Sequence, residues 1–251
     1  VRWMRPLLGW SRGALRDYLQ ENSINWMDGR SNEELSYDRI KARQMLTQMP
    51  RPDLLRQRLA DTGRHMRAAK AVLDQAMLDL AEAAVTQEHG DLLIDRALFN
   101  AAADETRTRL LARALMWVSA SAYRPRFAAL CAVADAGQGT LHGCQVINSP
   151  KSLRVTREFQ AVKDLTCATS EVWDGRWQLN GPHAPDLHIA ALGEAVKDCP
   201  DWRSANLPRT SLLASPAIWQ NDTLIAAPLA GYNPEWSARI VADFHSSVLT
   251  H

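Results

Sequence analysis

An α+β fold is predicted by three features of this 251-residue chain. Between Asp53 and Ala84 the pattern is strongly helical, and Leu59, Met66, Leu73 and Leu80 recur every seven residues. Glu105 to Ser119 repeats apolar residues at helical spacing. After Tyr123 the pattern changes to one more helix and then short β-prone runs broken by turn residues. Helices gathered in the first half and short strands in the second suit an α+β architecture better than an alternating α/β one.

The elements follow in order. Arg5-Pro6-Leu7-Leu8 reads as a short extended segment, because proline disfavours helix at the residue before it. Ser11 is a good N-cap for a helix running to about Asn22, with Ala14, Leu15, Tyr18 and Leu19 on one stripe. Ile24-Asn25-Trp26 reads as extended and Asp28-Gly29 as a turn. From about Tyr37 to Gln48 a helix stacks Arg39 and Arg43 one turn apart, until Pro50 and Pro52 interrupt it. In the long helix that follows, Ala69, Ala76 and Ala83 form a second seam beside the leucines, which suggests packing inside a helical bundle. Leu92 to Phe99 fits helix or strand. In the helix from Glu105, Leu110, Leu111, Ala114, Leu115 and Val118 face inward. A helix over 126–134 ends at Gly137 and Gly139. Strands are predicted over Leu141–Ile147, Leu153–Phe159 and Val172–Leu179, the last turning at Asp174-Gly175 between Trp173 and Trp177. Ala217–Trp219 and Thr223–Ala227 flank the turn Asn221-Asp222, and Asn180 to Leu187 reads as a flexible insertion.

Composition narrows the classes. The longest apolar runs are only a few residues, which points to a soluble globular protein without a membrane span. The opening Val1-Arg2-Trp3-Met4-Arg5-Pro6 has no apolar signal core. Cys131, Cys144, Cys167 and Cys199 are widely spaced, as expected of reduced thiols in a cytoplasmic protein, and their spacing supports no zinc site. The net charge of +1 hides an asymmetry. Residues 1–70 hold fourteen Lys/Arg against eight Asp/Glu, whereas residues 71–251 hold fifteen against twenty. A balance of +6 suits the front segment to phosphates, and one of −5 suits the remainder poorly on average.

Spacing alone gives no complete catalytic constellation. Gly137-Gln138-Gly139 lacks the third glycine of a dinucleotide fingerprint, and no Walker-type lysine follows a glycine. His183 and His188 lie five apart around a proline-interrupted loop and read as surface residues; no metal site is expected.

One stretch does carry chemistry. "WMDGRSNEELSYDRIKAR", residues 26–43, together with the lead-in from Arg5-Pro6-Leu7-Leu8, resembles the end of the catalytic domain of bacterial tRNA(Ile)-lysidine synthetases. The matching elements are Arg5-Pro6-Leu7-Leu8, Trp26, Ser31-Asn32, Tyr37-Asp38-Arg39 and Arg43, in the family's order and spacing. Gly29-Arg30 stands where the family usually has Asp-Pro. The Thr140–Cys144 element and the tail from Ser215 to Gly231 are also similar to that family's later regions, so the resemblance extends over almost the whole chain.

The resemblance implies residues 1–49 as the end of an α/β catalytic domain, 50–122 as a helical connector and 123–251 as a mixed α/β C-terminal region. It implies an enzyme that uses ATP, with Mg, to activate a cytidine in the anticodon of tRNA(Ile), after which free lysine replaces the activated oxygen. The family's Ser-Gly-Gly-x-Asp-Ser nucleotide loop does not occur in these 251 residues. The expectation is therefore a C-terminal portion of a longer cytoplasmic ligase, binding tRNA but neither ATP nor Mg by itself, with homodimerisation left open. Arg39 and Arg43 are the candidate catalytic residues, because guanidinium forks on one helical face suit phosphates and developing oxyanions. Asn32 is the candidate substrate-binding residue, in a turn its side chain can pin. The competing arrangement pairs the arginines with Asp38 or Glu34 and gives them an architectural role. The competing function is a non-catalytic helical protein-interaction module, using the seam of residues 59–83.

Overall fold

The computed structural model describes residues 3–27, 29, 34 and 36–249. The chain divides into two compact units, Val1–Arg67 and Ala68–His251.

The first unit is helical. Pro6–Gly9 form a 3-10 turn, closed by the Trp10 N–H donating to the Leu7 carbonyl at 3.1 Å. This corrects the expected extended segment. Only Arg5, immediately before the proline, keeps non-helical angles, while the fixed φ of Pro6 suits the first position of a helical turn. Helix α1 (Arg12–Glu21) starts where expected, with the Ser11 hydroxyl accepting from the Ala14 N–H at 3.1 Å. Ile24–Met27 run in irregular backbone rather than in a strand. Helix α2 (Asp38–Gln48) carries Ile40, the buried apolar side chain of this unit among the described residues.

Helix α3 (Pro52–Ala84) runs from the first unit into the second. Its seven-residue seam is not a buried core. Leu59 is 54 % exposed and Met66 62 %, whereas Met77, Ala81 and Ala84 are buried. A seven-residue repeat drifts by about 20° per heptad on a straight α-helix, so one such stripe cannot stay on one face for 33 residues. The buried stripe at 77, 81 and 84 belongs to the stretch that packs with the core of the second unit.

In the second unit, β1 (Val85–Glu88), β2 (Asp91–Asp95), β3 (Gly139–Leu141), β4 (Cys144–Asn148) and β5 (Ser152–Arg157) form an antiparallel sheet in the order β1-β2-β5-β4-β3. Helices α4 (Arg96–Ala101), α5 (Asp104–Val118) and α6 (Phe127–Ala136) complete this half. Leu92 to Phe99 thus resolves into strand followed by helix, with the Asp95 carboxylate accepting from the Leu98 N–H at the junction. The five residues expected to face inward on α5 are all buried, and they pack with α6, the sheet and Phe244 in one core. Gly137 closes α6 in the left-handed conformation (φ +64°).

The remainder holds the short helices α7 (Phe159–Val162) and α8 (Arg209–Leu213), then α9 (Phe244–Leu249). A four-stranded antiparallel sheet runs β10 (Thr223–Ala226), β9 (Pro216–Gln220), β8 (Leu187–Ala191), β6 (Cys167–Ala168). A third sheet pairs β11 (Ser237–Ile240) with β7 (Trp177–Asn180). Both expected turns are present. Asp174 and Gly175 take positive φ between the bridged Trp173 and Trp177, and Asn221 does so between β9 and β10. A buried polar network links the five-stranded sheet to α8. Arg154 donates to Asp91 at 2.8 Å, Ser211 donates to the same carboxylate, and Thr156 meets Ser211 at 3.2 Å. Among the described residues no helix is long and apolar enough to cross a membrane.

Candidate nucleic-acid interface

Two cationic surfaces are present, one in each unit. On α2, Arg39 and Arg43 are exposed and lie four residues apart, one helical turn along the same face. The Arg39 guanidinium sits 4.3 Å from the centroid of the Tyr37 ring, which restricts where it points. Asp38 pairs instead with Lys41 at 3.1 Å. Neither arginine has an ion pair among the described residues, so the competing pairing with Asp38 or Glu34 is not formed there. Ser31 and Asn32 lie outside the described residues.

The second surface is a cleft of about 580 Å³ within the 68–251 unit. Its lining includes five cationic side chains, Lys70, Arg109, Arg113, Arg124 and Arg176, against a single carboxylate, Asp74. Packing fixes the walls. The Trp117 indole N–H donates to the Ala242 carbonyl at 3.1 Å, and its ring meets Phe244 edge-on at 5.8 Å. Arg176 lies over the same indole at 4.8 Å and donates to the carbonyls of Val118, at 2.7 Å, and Gly90. That arginine is 4 % exposed, and its Nε has no hydrogen-bond partner. Burial lowers its pKa to about 10, with the Asp174 charge opposing, so it remains a cation at neutral pH.

The other cations are not equivalent. Asp74 bonds both Lys70 and Arg109, and these partners hold its pKa below the usual carboxylate range, the Lys70 hydrogen bond foremost and burial opposing. Arg109 is clamped a second time by Glu105 at 2.7 Å. Arg113 and Arg124 have no carboxylate partner among the described residues, so their donors are open to an incoming anion.

This cleft was missed from sequence because its cations come from α3, α5, the loop after α5 and the Asp174 turn. Averaged over 71–251 the charge is negative, but of its carboxylates only Asp74 lines the cleft. The available signal was local: Arg109 and Arg113 are four apart on α5, with Arg124 in the loop that follows. Among the described residues no cluster of His, Cys, Asp or Glu could hold a metal ion.

Sequence comparison adds class and family to this geometry. Residues 1–49 match the model of the PP-loop domain. Over 256 aligned residues the chain is 39 % identical to the tRNA(Ile)-lysidine synthase of Ruegeria pomeroyi, covering 99 % of this chain and 61 % of that protein. It is 26 % identical to the Wolbachia pipientis tRNA(Ile)-lysidine synthase, over 91 % of this chain and 56 % of the relative, and 30 % identical to that of Orientia tsutsugamushi, over 71 % and 44 %. The chain is therefore homologous over nearly its whole length to a part of the tRNA(Ile)-lysidine synthases, the family its motifs resemble. It spans about three-fifths or less of the length of these relatives.

Proposed function

We propose that this chain is a tRNA-binding portion of a cytoplasmic tRNA(Ile)-lysidine synthase. In the whole protein ATP activates a cytidine in the anticodon of tRNA(Ile), and the ε-amino group of free lysine displaces the activated oxygen. The observation that carries the RNA-binding role is the cleft on the 68–251 unit, where Arg113 and Arg124 stand without carboxylate partners among the described residues. Uncompensated guanidinium groups in a concave site attract phosphates and give bidentate contacts to them. The relatives are synthases named for tRNA(Ile), which supports RNA as the source of those phosphates.

On α2, Arg39 and Arg43 are proposed as the cations facing the phosphates or developing oxyanion of the whole protein's substrates, and Asn32, outside the described residues, as a substrate-binding residue. Without ion pairs among the described residues, the two guanidinium groups suit phosphate oxygens. Among the described residues no cluster of His, Cys, Asp or Glu would hold Mg. A second reading rests on the exposure of Leu59 and Met66 on α3, which suits a protein-interaction surface, either with a partner or in a homodimer. Sedimentation of the chain tests it: a concentration-dependent dimer abolished by Met66→Glu would favour that reading.

The main proposal is tested by adding an unmodified tRNA(Ile) transcript to the chain. Saturable binding, weakened at least tenfold in the double variant Arg113→Glu/Arg124→Glu, is the expected result. Absence of binding, or equal binding by the variant, would contradict it.

A further inference from the structure

The loop between α5 and α6 carries a second feature beside the cleft. Among the described aromatic side chains of the 68–251 unit, Tyr123, at 81 %, and Phe127, at 67 %, are the exposed ones. Trp173, Trp177, Trp236, Phe99 and Phe244 are buried, and Trp117, Phe159, Trp202, Trp219 and Tyr232 are half-buried. The backbone presenting the two rings is fixed. The Tyr123 N–H donates to the Ser121 hydroxyl at 3.2 Å, that hydroxyl lies 3.3 Å from the Tyr123 carbonyl, and Pro125, midway between the two in sequence, is buried.

The residues around Pro125 are arginines. Arg124 and Arg126 are exposed and have no carboxylate partner among the described residues, and Arg124 also lines the cationic cleft. In the run Tyr123-Arg124-Pro125-Arg126-Phe127 two exposed cations stand between two exposed rings, and the exposed aliphatic neighbours, Ala122, Ala128 and Ala129, are small. Rings flanking cations fit unpaired nucleotides, whose bases offer free faces to stack and whose phosphates lie within reach of neighbouring cations. The bases of a duplex are covered above and below by their neighbours and cannot use the rings in this way.

We infer that Tyr123 and Phe127 form a stacking platform for unpaired nucleotides of the bound RNA, whose phosphates are held by Arg124 and Arg126. This rests on the tRNA-binding reading and specifies which feature of the RNA the chain contacts. A tRNA offers unpaired nucleotides in its loops and at its 3′ end, and both share the chemistry that the platform recognises.

The test compares the full chain with Tyr123→Ala/Phe127→Ala and with Tyr123→Trp/Phe127→Trp. The probes are a tRNA(Ile) transcript, the same transcript lacking its unpaired 3′ nucleotides, and a blunt-ended RNA duplex. The alanine variant should bind the intact transcript at least roughly 30-fold more weakly, from about 1–3 kcal/mol for each of two stacked bases. The salt dependence should be unchanged, because no phosphate contact is removed. Tryptophan should restore binding, and binding to the blunt duplex should be equal for all three proteins. If the shortened transcript binds the parent chain as weakly as the intact one binds the alanine variant, the platform takes the 3′ end; if it binds as the intact one does, the platform takes a loop. Both rings are exposed, so the melting temperature should not move. Equal binding of parent and alanine variant to the intact transcript would overturn the platform while leaving the cleft intact. Failure of the parent chain to bind any of the RNAs would overturn the tRNA-binding reading and the platform together.

Discussion

Replacing Asp174 by asparagine should be one of the most damaging single-atom changes in the 68–251 unit. Arg157, at the end of β5, donates through Nε and Nη2 to the two oxygens of Asp174, both at 2.9 Å. Its Nη1 donates to the Gly143 carbonyl at 2.8 Å, so one guanidinium joins β5, the β3–β4 turn and the turn between the two tryptophans. The side chains are only 13 % and 5 % exposed. Removing one partner of such a pair leaves the other charge buried without compensation, which costs about 3–5 kcal/mol. Asparagine keeps the size and tolerates the positive φ of +50° at this position, so neither a cavity nor backbone strain contributes. Because its carbonyl can still accept one hydrogen bond, the lower end, about 3 kcal/mol, is expected. The assay is urea unfolding at pH 7, in which the midpoint should fall with an unchanged m-value. Melting should drop by roughly 6–12 °C for a unit of this size. The exposed pair Lys41–Asp38 serves as control, and Asp38→Asn should leave the midpoint where it was. A loss below about 1 kcal/mol for Asp174→Asn would show that the pair behaves like a solvated surface bridge and refute the reasoning.

Burial pushes the Cys144 thiol up to about 12, with Arg157 and Arg176 opposing only in part. The unfolded chain ionises this thiol near 9 while the folded chain keeps its proton. Its contribution to stability is therefore complete below about 9 and is lost as pH rises towards 12, and the difference between the parent and Cys144→Ala should shrink over that window. Native Cys144 should also resist alkylation at pH 8 until the chain is unfolded, and rapid native labelling at that site would contradict its burial. At Gly181, an added Cβ would lie 2.4 Å from the Trp236 indole, so Gly181→Ala should cost about 1–3 kcal/mol in the same urea assay. In a protein containing the whole synthase, Arg39→Lys or Arg43→Lys should lower lysidine formation by one to two orders of magnitude, from about 1.5–3 kcal/mol per lost charge-assisted contact, with no change in melting. Normal turnover with reduced stability would make those arginines architectural.

What the sequence disclosed follows the range of the forces involved. Ser11, Asp174-Gly175 and Asn221 act on their own backbone, and the structure has the expected cap and turns at those positions. The inward face of α5 was also legible, because apolar side chains at helical spacing on a 15-residue helix have one face to bury. The seam of α3 misled for the opposite reason. Periodicity describes a stripe, but burial requires a neighbour, and Leu59 and Met66 remain exposed while Met77 joins a core. The order β1-β2-β5-β4-β3 joins strands more than fifty residues apart, for which no local pattern exists. The cleft shows the same limit in electrostatics. A net charge summed along the chain treats Arg113 and Arg124 as cancelled by carboxylates that fold elsewhere, and only the fold separates them.

The central claim, that the cleft holds RNA phosphates, is tested most directly by the salt dependence of tRNA(Ile) binding to the chain. For the parent, log K should fall linearly with log salt concentration, and Arg113→Ala/Arg124→Ala should make that slope shallower by about 1.4–1.8, at 0.7–0.9 per phosphate contact. Affinity at low salt should fall as well. An unchanged slope and affinity in the variant would place the RNA elsewhere and contradict the account.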